Sequence, residues 1–480
     1  MQRTRRTLII WCMSCGLAAG LHGCSTLAPD YIRPDAPVPV SWQKDGATGA
    51  EADELAQRAA LEKAWQNFYR DPRLREVIAL GLEHNRDLRA MALNVERAQA
   101  QYRIQRARLI PNVDADAAAG FQRVPADFSG TGEAQKLHQY TVGLGITSYE
   151  LDLFGRVRSL RDQALEQYLA TEQAQQSARI SLTSQIAAGY LTLAADRELL
   201  HLAQETLKTQ EKSYLLIQQR FAAGASSELD LRQAQTQVEA ARVDVARFTT
   251  LVAQDEEFLN LLVGTQVPAD LQPLALTDQV AALEDVTPGL SSEVLLRRPD
   301  VLQAEHMLKG YNANIGAARA AYFPRITLVG TLGSGNNELS GLFSSGSGSW
   351  SFMPRIDLPI FDAGTRAAQL QVAEIDRDIA VAQYEKTIQT AFREVADGLT
   401  IRGNVEQQLA AQQALREATE KRYALTMERY AKGVDSHLNV LDAQRSLYSA
   451  RQGEIGVRLV RLTNLVFLYK ALGGGVEAGT

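Results

Sequence analysis

The residues able to do covalent chemistry are few and dispersed. Three cysteines, Cys12, Cys15 and Cys24, fall within the first 24 positions. The six histidines are His22, His84, His138, His201, His306 and His437, and none sits in an H-E-x-x-H or other close ligand pairing. No G-x-S-x-G elbow or Walker loop occurs. The chain therefore reads as no enzyme, with no metal centre and no cofactor beyond a covalent lipid. A different chemistry is available, made of bulk and charge along one helix face. Leu438 and Asp442 lie four residues apart and share a face. Arg445, three further on, can reach Asp442 or a neighbouring helix. In a lone chain these are a seam leucine and a solvated ion pair.

The chain has 480 residues and a formal net charge of -6, so nothing favours nucleic acid. Arg3, Arg5 and Arg6 precede an apolar run from Leu8 to Leu21, a pattern that predicts a secretory leader over 1–23. Arg5-Arg6 also permits a twin-arginine reading. Leu21-His22-Gly23-Cys24 resembles the bacterial lipoprotein cleavage box, with His22 departing from the usual small residue. The resemblance makes Cys24 the lipidated first residue, and Ser25 in place of Asp implies outer-membrane sorting. Cleavage would remove every thiol but that one, which excludes disulfides and cysteine nucleophiles.

Residues 24–63, rich in Pro, Ala and acidic residues, predict an extended arm. Helical periodicity begins near Ala64, with a helix start at Asp71-Pro72 and a further helix over about 88–109. The period then changes to two. Val113, Ala115, Ala117, Ala119 and Phe121 alternate with small and acidic residues, and Tyr140, Val142, Leu144 and Ile146 alternate with Thr and Gly. Strands are expected over about 112–121 and 139–151, either in a soluble hairpin or in a membrane barrel. A long helical hairpin follows, with its tip at Gly224 and a seam through Ile186, Tyr190, Leu193 and Ala203. After a loop-rich connection at 271–290 the pattern repeats over 291–475, leaving a tail at 476–480. Strands are expected over about 325–334 and 350–360. A helix of about 68 residues, roughly 100 Å long, then runs from Gly364 to a tip at Gly433, with a seam through Ile388, Phe392, Val395 and Leu399. RFAAGASSELDLRQAQ (220–235) and RYAKGVDSHLNVLDAQ (429–444) align at an offset of 209. Trp350 and Phe352 suit either an aromatic girdle or buried packing.

Four strands cannot close a barrel in lipid, where an open edge leaves polar groups unsatisfied. Two copies would give eight strands with a filled interior; more copies would leave a lumen. RRPDVLQAEHMLKGYNANIGAARAAYFPRI (297–326), FDAGTRAAQ from Phe361, YEKTIQTAFREVADGL (384–399) and NLVFLYKALGGG (464–475) are together similar to the signature of the outer-membrane efflux factor, or TolC-like, family. The mature start and the end resemble its lipoprotein branch, typified by OprM. That resemblance implies a mixed α and β fold in a homotrimer: a twelve-stranded transmembrane β-barrel, four strands per chain, continuous with a periplasmic α-helical barrel. It implies a passive exit duct for drugs or other toxic small molecules. The partners it implies are a periplasmic adaptor, an inner-membrane resistance-nodulation-division pump and outer-membrane lipid. It places Leu438 at the periplasmic aperture with Asp442 and Arg445 beside it, and adaptor contact at the tips, Gly224 and Gly433. The alternative is a lipid-anchored periplasmic coiled-coil scaffold without a pore.

Overall fold

The computed structural model describes residues 26–42, 65–130, 132–276 and 291–474. The leader, Cys24, part of the arm, most of the connection and the tail lie outside them. The chain folds as α1 (Trp65–Phe68), α2 (Pro72–His84), α3 (Arg86–Ala107), β1 (Asp114–Val124), β2 (Gln135–Leu151), α4 (Arg156–Ala222) and α5 (Glu228–Val263). It continues with α6 (Pro299–Ala320), β3 (Arg325–Asn336), β4 (Gly348–Asp357), α7 (Thr365–Ala431) and α8 (His437–Ala471). The long helices α4 and α7 each have 67 residues, about 100 Å at 1.5 Å per residue. Their first residues, 156 and 365, differ by 209, as do the starts of α5 and α8.

Contacts divide the chain into two compact units. One holds 94–172 and 303–384 together with the arm up to Asp35. Its sheet has the order β1-β2-β3-β4, antiparallel throughout, with β1 and β4 as edges. The register sets one apolar face: Ala115 opposes Leu144, Leu144 opposes Leu332, and Leu332 opposes Trp350. The other face carries Asp116, Gly143, Gly333 and Ser349 in the same way. At the Gly143–Gly333 pair the strands approach so closely that a Cβ on Gly333 would stand 2.3 Å from the Val142 carbonyl oxygen. β1 and β2 each extend beyond the expected range at the loop end, whereas β4 stops at Asp357 instead of 360. Pro359, lacking an N–H, cannot continue a ladder.

The arm in this unit is extended, as expected, but also fixed. Arg33 grips the Glu305 carboxylate with both Nε (3.1 Å) and Nη2 (2.6 Å), and Lys309 approaches it at 3.0 Å. Asn312 donates to the Pro29 carbonyl at 2.7 Å. Gly316 and Gly155 leave room for the arm backbone: a Cβ on Gly316 would sit 2.6 Å from the Ala28 nitrogen, and one on Gly155 2.7 Å from Thr26 Cα.

The second unit is helical and holds 36–93, 173–302 and 385–480. Here the stretch from Trp65 to Ala107 forms three helices, α1, α2 and α3. Asp71 caps α2 by accepting from the Arg73 N–H at 2.9 Å, with Pro72 at the first position. Asn85 ends α2 in extended conformation and caps α3 through the Leu88 N–H at 2.8 Å. The helix expected over 88–109 thus runs 86–107. Phe68 stacks on Tyr469 at 4.0 Å, and Tyr69, Leu74, Ile78, Ile186, Tyr190 and Leu193 are fully buried. Each aliphatic member contributes roughly 1.5–3 kcal/mol from burial. In the second repeat Ile388 and Val395 are buried while Phe392, half-buried, stacks on Trp42 at 5.2 Å.

Candidate functional site

The two hairpin turns are built from one backbone motif. Gly224 (φ 74°) and Gly433 (φ 73°) adopt left-handed conformation. Their N–H groups donate to the Phe221 and Tyr430 carbonyls, each at 2.9 Å. The following residues close back to Arg220 (2.7 Å) and Arg429 (2.9 Å). This is the glycine-terminated helix end, which satisfies carbonyls that a helix otherwise leaves orphaned.

Past the second turn, α8 carries Leu438, Asp442 and Arg445 within its first three turns. Leu438 is 55% exposed, although it follows a helix start where neighbouring His437, Val440 and Leu441 are buried. Asp442 lies between two guanidinium groups: Arg422 Nη2 donates to Oδ2 at 2.6 Å and Arg445 Nη2 to Oδ1 at 2.8 Å. Arg422 chiefly, then Arg445, holds the Asp442 carboxyl below the usual carboxylate range. Arg445 therefore pairs with Asp442 inside its own chain. Arg422, on α7, was not singled out by sequence. A signal existed, since Arg422 and Asp442 lie eleven and nine residues from Gly433, on the two legs of one hairpin.

His437, which the sequence places in no close ligand pairing, is buried at the tip. Its Nε2 lies 3.3 Å from Ser213 Oγ and its ring 5.5 Å from Tyr430. Burial pushes its pKa down; Arg220 adds to this and Asp230 opposes it. His306 is also not isolated, as its Nδ1 contacts Glu166 at 2.7 Å. Trp350 and Phe352 are 77% and 59% exposed, so neither packs into the core of this chain. No group of three His, Cys, Asp or Glu side chains suited to a metal ion occurs among the described residues. Among them no helix is long and apolar enough to cross a membrane.

The sequence profile of the outer membrane efflux protein family matches residues 77–265 and 290–474, one match for each repeat. The antibiotic efflux pump outer membrane protein ArpC of Pseudomonas putida is 51% identical over 457 residues, covering 95% of this chain and 93% of its own. The toluene efflux pump outer membrane protein TtgC, also of Pseudomonas putida, gives the same identity and coverage. The crystal structure of the open state of the Neisseria gonorrhoeae MtrE outer membrane channel superposes with a TM-score of 0.83 at 38% identity, over 94% of this chain and 99% of that one. With two helical hairpins, one four-stranded sheet and a family match in each half, the chain belongs to the outer membrane efflux protein family.

Proposed function

We propose that this outer-membrane efflux channel acts as a homotrimer, a passive exit duct for small toxic compounds. The observation that carries the reading is the sheet. The outer edges of β1 and β4 have no strand partner among the described residues, and one face exposes Phe121, Leu144, Leu332, Trp350 and Phe352. Because the strand number is even, β4 of one copy can pair antiparallel with β1 of the next. Three copies give twelve strands, enough to enclose a lumen rather than a packed core. The small and acidic face, with Asp114, Asp116, Ser349 and Ser351, then lines the lumen, and the apolar face meets lipid.

Threefold repetition turns Leu438 into an apolar constriction and Asp442 into a charged ring. Arg422 and Arg445 hold that carboxylate in place, so the bore at this level is set by a hairpin clamped to itself. The turns at Gly224 and Gly433 form the surface for a periplasmic adaptor, which links the channel to an inner-membrane resistance-nodulation-division pump. Cys24 carries a lipid: it precedes by two residues Thr26, whose Cα packs on Gly155 where the sheet gives way to α4. A two-residue reach is about 7 Å, which suits an anchor beside the barrel. Antibiotics and aromatic solvents are the cargo class, after the names borne by the relatives.

The test pairs cysteines scanned along β1 and β4. Oxidation should produce a covalent ladder ending at three chains, and the cross-linked species should conduct ions in a planar bilayer. A ladder ending at two, or a trimer that never conducts, overturns the reading.

A further inference from the structure

The hairpin β1–β2 bears an unexplained feature on its apolar face. The residues sharing that face pair across the strands as Ala115 with Leu144, Ala117 with Val142, Ala119 with Tyr140 and Phe121 with His138. The next rung toward the loop is Arg123 opposite Lys136. Two cations directly opposed on a sheet repel one another. Neither forms an ion pair with a carboxylate among the described residues, and both side chains are exposed. Below them lies an aromatic collar. Phe121 meets His138 edge-on at 5.3 Å and Tyr140 edge-on at 5.8 Å. His138 is exposed and offers an imidazole N–H on the same face.

Position along the strand gives this rung its meaning. Ile146 is the last residue of that face before the register of β2 shifts. From Ile146 to Lys136 is ten residues, about 34 Å of strand. At a barrel tilt of 35–45° this rises roughly 25 Å, the height of the apolar band of a membrane barrel. Arg123 and Lys136 therefore stand at the rim of that band, at the end distant from the helices, which is the outer leaflet in the orientation proposed above. Arginine and lysine beside aromatic rings at such a depth match an anionic headgroup whose acyl chains lie along the apolar rungs.

The geometry points to a binding site for a phosphorylated lipid of the outer leaflet: Arg123 and Lys136 hold the phosphate, His138 adds a donor, and Phe121, Tyr140 and Val142 contact the chains. Occupation by phosphate also removes the repulsion that the bare rung carries. The site rests on the trimeric barrel reading and its orientation.

The experiment measures lipid binding to the purified full-length oligomer by native mass spectrometry. The probes are diphosphoryl lipid A, fully dephosphorylated lipid A and phosphatidylethanolamine. The wild type should retain the diphosphoryl form at least tenfold more tightly than the dephosphorylated form. The double variant Arg123→Gln/Lys136→Gln should lose that preference and keep its binding of phosphatidylethanolamine. Arg355→Gln, a charge removed from the opposite face, should retain the preference. Equal retention of both lipid A forms by the wild type overturns the site, whatever the variants do. So does a preference that survives in the double variant. In parallel, Glu133→Cys is treated on intact cells with a membrane-impermeant maleimide. Labelling together with no phosphate preference sinks the site and leaves the barrel orientation standing. Absence of labelling sinks the orientation, and the site with it.

Discussion

At the first tip, Ser227 and Asp230 form a capping box: the Asp230 N–H donates to Ser227 Oγ at 3.1 Å and the Ser227 N–H to Asp230 Oδ2 at 3.1 Å. At the second, Ser436 starts α8 without any side-chain cap. There Asp435 is instead tied to Arg429 at 2.7 Å across the turn, and Asp442 to Arg422 further along the legs. The positions equivalent to Arg422, Asp442 and Arg445 in the first repeat are Ser213, Gln233 and Thr236, all neutral. Duplication thus kept the glycine turn and its hydrogen bonds while the means of holding it diverged. One tip is stabilised by local backbone capping, the other by charge between the legs. A charge clamp between exposed side chains is screened by salt; the local hydrogen bonds of a capping box are screened less.

The largest expected effect tests what the tips share. Gly433→Val places a β-branched side chain in left-handed backbone, at about 1–2 kcal/mol. Trimers should still form, while cross-linking to the adaptor should fall tenfold or more; unchanged cross-linking would remove the tip from the docking surface. Gly224→Val should cost the same stability, so a difference in assembly between the two variants would rank the tips as contact sites. Next in size, Arg422→Gln should raise single-channel conductance several-fold, and Ser213→Ala should leave it unaltered. Equal conductance in both would show that the clamp does not set the bore. A smaller effect separates the caps. Ser227→Ala should cost about 1 kcal/mol, seen as faster amide exchange over 222–231, whereas Ser436→Ala should change exchange over 431–440 by much less.

The smallest effect concerns pH. His437 has a folded pKa below its ordinary value, so the unfolded or opened tip binds the proton more readily. Its contribution is full above about pH 6.5 and is lost as pH falls below that. Lowering pH from 7.5 to 5.5 should therefore reduce the amide protection factors, taken relative to the intrinsic exchange rates at each pH, at the second tip and not the first. His437→Gln should abolish the difference. Asp442 gives the opposite assurance. Its lowered pKa keeps the contribution of the clamp present above the ordinary carboxylate pKa, and only stronger acid, passing through the lowered value, removes it. Loss of the clamp at pH 5.5 would contradict the geometry around it.

Much of this was legible in the sequence for local reasons. Alternation in Tyr140–Ile146 reports a strand because side chains there point alternately to the two faces. Gly224 and Gly433 report turns because other residues resist positive φ. What escaped depended on partners distant in the chain. Nothing near Arg33 announces Glu305, 272 residues away, so the arm read as extended but not as fastened. Asn85 is compatible with helix interior or cap, and its bonds to the Leu262 carbonyl (2.8 Å) and the Leu88 N–H (2.8 Å) make it the cap, which moves the start of that helix from 88 to 86. His437 looked solitary because Ser213 comes from the other hairpin.

The seam between β2 and β3 joins residues such as Leu144 and Leu332, with both legs of the first hairpin and all of α6 interposed. Ribosome and secretion machinery deliver β2 long before its neighbour exists. Until then the nascent protein must carry a half-finished sheet with a sticky margin, and closing so large a loop is slow. A late, slow step of strand pairing is thus written into the topology.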